Sequence, residues 1–334
     1  MIQKFAARWL ASVTSVASVA SIALGALAFA PAAFAQAYPN KPIRLIVPYA
    51  AGGPTDVLAR VMAQKLGEAF GHNVFVENRP GANGITGTDA IAKAAPDGYT
   101  IGLSTIGPLA VNPSLFANIP YDSLKDFAPI MTLARSYTLL AMHPSVPANN
   151  MRELMALVKA NPGKYAYATG GVGTTQHLSG ELLSNVADVK MLHVPYKGEG
   201  AAQSDVLGGQ VHMMFTSTIV GYNHVKAGKL RAMGVASAQR LASMPEVPTI
   251  AETFPGFEVT AWFGMVAPAG TPEPIVKRLN DGFQAVLKNP EVAKKLEELG
   301  AVPAGGPPSD LAALIRSELP KWRDVIRKAD IKAE

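Results

Sequence analysis

Cysteine is absent from all 334 residues, which excludes disulfides, thiolate metal centres and a lipid-modified N-terminal cysteine. Charge is scarce as well. Asp, Glu, Lys and Arg together make up 16% of the chain and no run of Lys and Arg stands out, so nucleic-acid binding has no electrostatic footprint. Setting Lys4 and Arg8 aside, the 30 basic residues become 28 against 25 acidic ones, a balance that gives only mild help to anion capture. Catalytic signatures are missing too: there is no Gly-x-Ser-x-Gly elbow and no His-Glu-x-x-His. His72, His143, His193, His212 and His224 are scattered, and Asp122 with Asp126 in "YDSLKDF" reads as a solvated acidic edge. His177 and Glu181 stand four apart, half of a metal site at most, and a hydrogen bond is the better reading of such a pair. No cofactor, no metal and no nucleic-acid partner is expected.

Apolar residues, by contrast, make up 49% of the chain. Part of that excess sits at the N-terminus, where Lys4 and Arg8 precede an uncharged stretch from Trp9 to Ala30 and then "PAAFAQA". This is the layout of a secretory signal over residues 1–37, with cleavage after Ala35 or Ala37 and export of the rest. The stretch is long enough to span a bilayer uncleaved, but it ends in Ala and Pro with no stop-transfer charge behind it. No later window stays apolar and uncharged for ~18 residues, so the exported chain is expected to be water-soluble.

Strand-like and helix-like segments alternate downstream, which predicts α/β layers with parallel strands. "IRLIV" reads as a strand and Pro54 to Phe70 as a helix with Val57, Leu58, Val61, Met62 and Leu66 on one face. "NVFVEN", "GYTIGLST", "KYAYAT", "MLHVPYKG" and "QVHMMFTST" read as further strands, with helices between them. Three helices are expected to close the chain near Pro274–Lys288, Pro290–Leu299 and Ser309–Lys328, the last kinked or broken at Pro320. The apolar strands "TLLAMHPS" and "TAWFGMVA" bracket a middle portion with βα units of its own. The expected organisation is therefore a discontinuous first lobe, residues 38–140 and 260–334, and a second lobe, 141–259, with a cleft between them.

Two glycine loops stand where strands give way to helices. "YAAGGPTD", Tyr49 to Asp56, is bare enough for an anion to approach backbone amides that have no acceptor inside the helix. A plain connection is the alternative, with Gly53 as cap, Pro54 at the first helical position and Asp56 complementing the dipole. No Lys follows as a nucleotide phosphate loop would require. "TGGVGTTQH" carries only half of a dinucleotide fingerprint, since Gln176 stands where a third glycine belongs. It offers instead a second helix start with the hydroxyls of Thr174 and Thr175. Ser104 and Thr105, and then Thr216, Ser217 and Thr218, lie at the carboxyl ends of strands, where open α/β sheets bind ligands and where turn chemistry also places hydroxyls.

In order and spacing, "YPNKPIRLIVPYAAGGPTD", "VENRPGANGITGTDAIAKAAPDGYT", "HVPYKGEGAAQSDVLGGQV", "KAGKLRAMGVASAQR" and "PEVPTIAETFPGFE" resemble the Bug receptors, the periplasmic solute-binding proteins of tripartite tricarboxylate transporters. The resemblance spans essentially the whole exported chain. It implies a type II periplasmic-binding-protein fold with two α/β lobes, two crossover strands and hinge closure on a small organic acid. It also implies membrane subunits of an ion-driven transporter as partners, with the receptor itself a monomer. On this basis the ligand-binding candidates are Tyr49, Ala50, Ala51, Gly52, Gly53, Thr55 and Asp56 from the first loop and Ser104 and Thr105 from the strand end. Thr174, Thr175, His177, Thr216, Ser217 and Thr218 come from the second lobe. The acid itself stays open among dicarboxylates, tricarboxylates and aromatic acids. Two other readings stand beside this one: an exported α/β enzyme acting on a carboxylated substrate, and a ligand-dependent sensor.

Overall fold

A computed structural model describes residues 38–332 apart from residue 197; the expected signal lies outside the described residues. From Lys41 onward the chain clusters as one unit. β1 (Ile43–Val47) is followed by α1 (Pro54–Phe70), β2 (Val74–Asn78), α2 (Ile85–Ala92), β3 (Thr100–Thr105) and the short α3 (Asn112–Leu115). Ile43, Leu45, Ile46 and Val47 are all fully buried, as the central strand of a parallel array covered on both faces must be. β1 pairs in parallel with β2 and β3. The Gly-Gly-Pro turn acts as α1's start: Gly53 is extended at φ −77°, ψ 167°, Pro54 opens the helix, and Gly71 ends it in the left-handed region at φ 68°.

β4 (Phe127–Met142) is sixteen residues long and crosses from one half of the sheet to the other. Residues 127–137 pair antiparallel with β9, and residues 138–142 with β7 and β8. The second half holds α4 (Met151–Ala160), β5 (Ala166–Thr169), α5 (Thr175–Val186), β6 (Leu192–Pro195), α6 (Glu199–Leu207), β7 (Met213–Ser217), α7 (Thr218–Lys226) and β8 (Arg231–Val235). The chain then returns through β9 (Thr260–Pro268), α8 (Glu273–Leu287), α9 (Pro290–Glu298), β10 (Ala301–Gly305) and α10 (Pro308–Lys328). The strand order is β2-β1-β3-β9-β4-β7-β5-β6, with β8 and β10 both added onto β4. Among the described residues β9 pairs with β3 and β4 only; the return connection is tied to the second half by Val259 N–H donating to the Ala236 carbonyl at 2.9 Å.

The local expectations mostly hold, with instructive departures. β4 begins at Phe127, well before the run "TLLAMHPS", because its first half is held by pairing with β9, and from Thr132 with β10 as well, and needs no strict apolar alternation to stay in the sheet. α10 is not broken at Pro320. Leu311, Ile315, Trp322, Val325 and Ile326 on its inner face are all buried, and that packing outweighs the backbone bond a proline forfeits. Among the described residues no helix is long and apolar enough to cross a membrane.

Candidate functional site

The first loop is rigid by construction. Asp56, 2% exposed, accepts from the Gly52 amide at 2.9 Å, from Arg60 Nε at 3.0 Å and from Asn78 Nδ2 at 2.9 Å. Asn78 also donates to the Tyr49 carbonyl at 3.0 Å. Burial pushes the Asp56 carboxyl up, but the bonds from Arg60, Gly52 and Asn78 together outweigh it and hold it below the ordinary aspartate value. The Tyr49 hydroxyl meets Thr105 Oγ1 at 2.7 Å, and burial raises its pKa to about 12 against the lowering effect of that bond. Gly52 sits at φ +85°, where a residue without Cβ is required. With Gly52 N–H spent on Asp56, the remaining donors are the loop amides beside it and those of Thr55 and Asp56, which have no acceptor within α1.

The second loop is pinned just as tightly, from below. Thr174 caps α5 by accepting from His177 N–H at 3.3 Å and donates to the Gly171 carbonyl at 2.7 Å. Gly173 N–H donates to His177 Nδ1 at 3.1 Å. His177, 5% exposed, is held down to about 3 by burial with a further contribution from His193, which burial itself lowers to about 4. Both imidazoles are therefore neutral at physiological pH. His177 Nε2 lies 3.7 Å from Glu181, whose carboxylate accepts the Tyr167 hydroxyl at 2.5 Å. Gly180 is needed because a Cβ there would fall 2.2 Å from the Tyr167 ring.

A cavity of about 540 Å³ opens where these loops converge. Tyr49, Ala50, Ala51, Gly53, Pro54 and Thr55 line it from the first loop, Thr105 and Ile106 from the end of β3, and Ala261, Trp262 and Phe263 from β9. Thr175, at the head of α5, lines it from the other half of the sheet. None of these residues carries a charge. Seven of the fifteen sequence candidates thus share one cavity. The rest are placed elsewhere: Gly52 and Asp56 clamp their loop, Ser104 is buried 3.3 Å from Thr88, and Thr174 and His177 support the second loop.

Thr216 and Ser217 have an anion already. Glu199, at the start of α6, accepts from the Thr216 hydroxyl and, at 2.6 Å, from the Ser217 amide. The strand end that looked open in the sequence is filled by the protein's own carboxylate. Thr218 lines a different cavity of about 330 Å³ with Tyr222 and Lys226. The larger space of about 780 Å³ beside Arg135 and Tyr137 is lined by Arg240, Glu258 and Glu297 and shares no residue with the loop cavity.

Sequence reasoning missed Ile106 and the β9 residues. "VTAWFGMVAP" was legible as a strand, but that Ala261 to Phe263 meet the cleft depended on β9 lying between β3 and β4.

Two sheet halves threaded by one long strand, with a cavity lined from both, define the architecture of a two-lobed solute-binding receptor. The model of the "Tripartite tricarboxylate transporter family receptor" matches residues 58–331, and the chain belongs to that family. BugT of Bordetella pertussis (strain Tohama I) is 38% identical over 300 residues, covering 89% of this chain and 92% of BugT. Among solved structures, R. palustris Rpa4515 with adipate aligns with TM-score 0.74 and 34% identity over 88% of this chain and 99% of that one. MatC (Rpa3494) from Rhodopseudomonas palustris with bound malate aligns with TM-score 0.70 and 33% identity, over 86% and 100%. The protein is accordingly a Bug-type periplasmic solute-binding receptor, not an enzyme.

Proposed function

We propose that this receptor captures a small organic acid with at least one carboxylate and an apolar body, closes its lobes on it, and delivers it as a monomer to the membrane subunits of a tripartite tricarboxylate-type transporter. The observation that carries the reading is a cavity lined from both halves with no charged side chain. An anion there is held by amides and hydroxyls, each charge-assisted bond contributing about 1.5–3 kcal/mol. Ile106, Ala261 and Phe263 supply a wall for the apolar part. The adipate named for one relative fits this chemistry, and the malate named for another shares its two carboxylates. Residues 38–140 with 260–334 form one lobe and 141–259 the other, with β4 as the principal hinge strand.

Calorimetric titration with adipate, malate, citrate and benzoate tests the reading. At least one acid is expected to bind and to raise the melting temperature. Citrate, whose third carboxylate would enter a cavity lined by no cationic side chain, is expected to bind about tenfold or more weakly than adipate or benzoate. Failure of every acid to bind would overturn the proposal.

We also infer that the N-terminal segment is removed on export, by cleavage after Ala35 or Ala37. The intact mass of protein recovered from the periplasm should correspond to a chain starting after Ala35 or Ala37. A mass matching the full chain in the membrane fraction would instead establish an uncleaved anchor.

A further inference from the structure

His177 is the one histidine that the sequence marks as a solute contact, yet the cavity does not reach it. It belongs to a buried stack. His177 and His193 lie face to face with centroids 3.9 Å apart and planes 10° apart, and Tyr167 stacks on His193 at 5.0 Å and 26°. Two neutral rings stack in this way without repulsion, as charged ones would not.

The hydrogen bonds fix the proton of one ring and tie the other to the turn. Thr169 Oγ1 accepts from the Gly171 amide at 3.2 Å and lies 3.2 Å from the Gly171 carbonyl. His193 Nε2 lies 2.7 Å from the same hydroxyl, a hydrogen bond that ties the ring to Thr169 with either atom as donor. His177 Nδ1 accepts from the Gly173 amide, so in the neutral ring the proton sits on Nε2, on the side of Glu181. Each imidazole therefore secures one end of the turn before α5: His193 through Thr169 at Gly171, and His177 directly at Gly173. The turn needs such support. Gly171 and Gly173 have φ of +138° and +74°, conformations that no helix or strand ladder stabilises. With the Gly171, Gly173 and His177 amides all spent inside the turn, the amides of Thr175 and Gln176, which have no acceptor within α5, are left as donors.

We propose that His177 and His193 are positioning residues for solute capture, holding the Gly171–Thr174 turn so that the leading amides of α5 and the Thr175 hydroxyl face the cavity. Neither ring touches the solute. This rests on the reading of the 540 Å³ cavity as the solute site.

The test compares His177→Phe, His177→Asn and His193→Phe with the unaltered protein, using adipate as the probe. Phenylalanine keeps a ring in the stack but has no acceptor for Gly173, whereas the asparagine Oδ1 can stand in for Nδ1. Loss of one positioned donor set is expected to weaken adipate binding by about tenfold to a hundredfold in His177→Phe. His177→Asn should recover most of that loss, and His193→Phe should fall between.

A readout independent of solute is the tautomer. In long-range proton–nitrogen spectra of the unaltered protein His177 should be protonated at Nε2 alone, and the Gly173 amide proton should shift upfield and exchange faster in His177→Phe but not in His177→Asn. Wild-type affinity in His177→Phe, equal weakness of the Phe and Asn variants, or an Nδ1-protonated His177 would each overturn the proposal. Should His177→Phe fail to fold, the tautomer and the His177→Asn affinity still decide it. If adipate does not bind the unaltered protein, that result counts against the solute-site reading, while the tautomer and the Gly173 amide judge the support of the turn separately.

Discussion

Replacing Gly53 with aspartate is expected to weaken carboxylate binding at least about a hundredfold while leaving the protein as stable as before. Gly53 is the residue that caps α1, and its φ of −77° and ψ of 167° suit any amino acid. A Cβ placed there meets nothing closer than the Ala50 carbonyl at 3.8 Å. No side chain caps this helix at present, and aspartate is among the best residues for that position, better than glycine by a few tenths of a kcal/mol.

The new carboxylate would accept from the amides of Thr55 and Asp56, the donors assigned to the solute, and so fill the site with an anion of the protein's own. Glu199 does the same at Thr216 and Ser217. Any solute carboxylate entering nearby would also meet a fixed negative charge, a repulsion of up to about 4 kcal/mol at 4 Å near a protein surface. The neighbouring Asp56 adds little to this, since Arg60 pairs with it at 3.0 Å. Gly53→Ala, which fits the same space without the charge, should bind within severalfold of the unaltered protein. Calorimetry and thermal melting read both effects, and undiminished affinity in Gly53→Asp would move the carboxylate away from the first loop.

The contrast between these two carboxylate-ready loops shows what the sequence could and could not convey. Around Tyr49 to Asp56 the signals are local: a buried strand, two glycines, a proline at the first helical position and an acidic residue in the first turn. The structure keeps each of them in its expected place. At Thr216 to Thr218 the hydroxyls were equally visible, but their partner comes from another helix, and only the pairing of β5 with β7 brings Glu199 into reach. His177 lies outside the cavity for a related reason. Its position in the first turn of α5 was legible, whereas the His193 ring that covers it arrives on β6.

Strand length was also a tertiary property. The first half of β4 contains Pro129, Thr132 and Arg135, which mask any apolar alternation, and β9 and β10 nevertheless flank it. β10 itself, "AVPAG", has exposed residues at three of its five positions and no pattern from which a strand could be read.

Asp56 offers the second large effect, and it separates the loop's architecture from its chemistry. Asp56→Ala is expected to destabilise the protein by about 2–4 kcal/mol at pH 7, because the Gly52 amide and the Asn78 amide group lose a buried, charged acceptor. Arg60, with its side chain about half exposed, can turn to solvent and contributes less. The released loop should also bind carboxylates more weakly, since its amides are no longer fixed in one direction.

The dependence on pH follows from the depressed pKa of Asp56. A carboxyl held below its unfolded value of about 3.9 contributes stability that is fully present above that value and is lost as pH falls through the folded value. The gap between the unaltered protein and Asp56→Ala in urea unfolding should therefore be constant from pH 7 to pH 5 and shrink below pH 4. Other acid-sensitive pairs, such as Arg79 with Glu77, are common to both proteins and cancel in the difference. A gap under 1 kcal/mol at pH 7, or one that persists undiminished at pH 3, would show that the clamp on the first loop does not depend on the Asp56 charge.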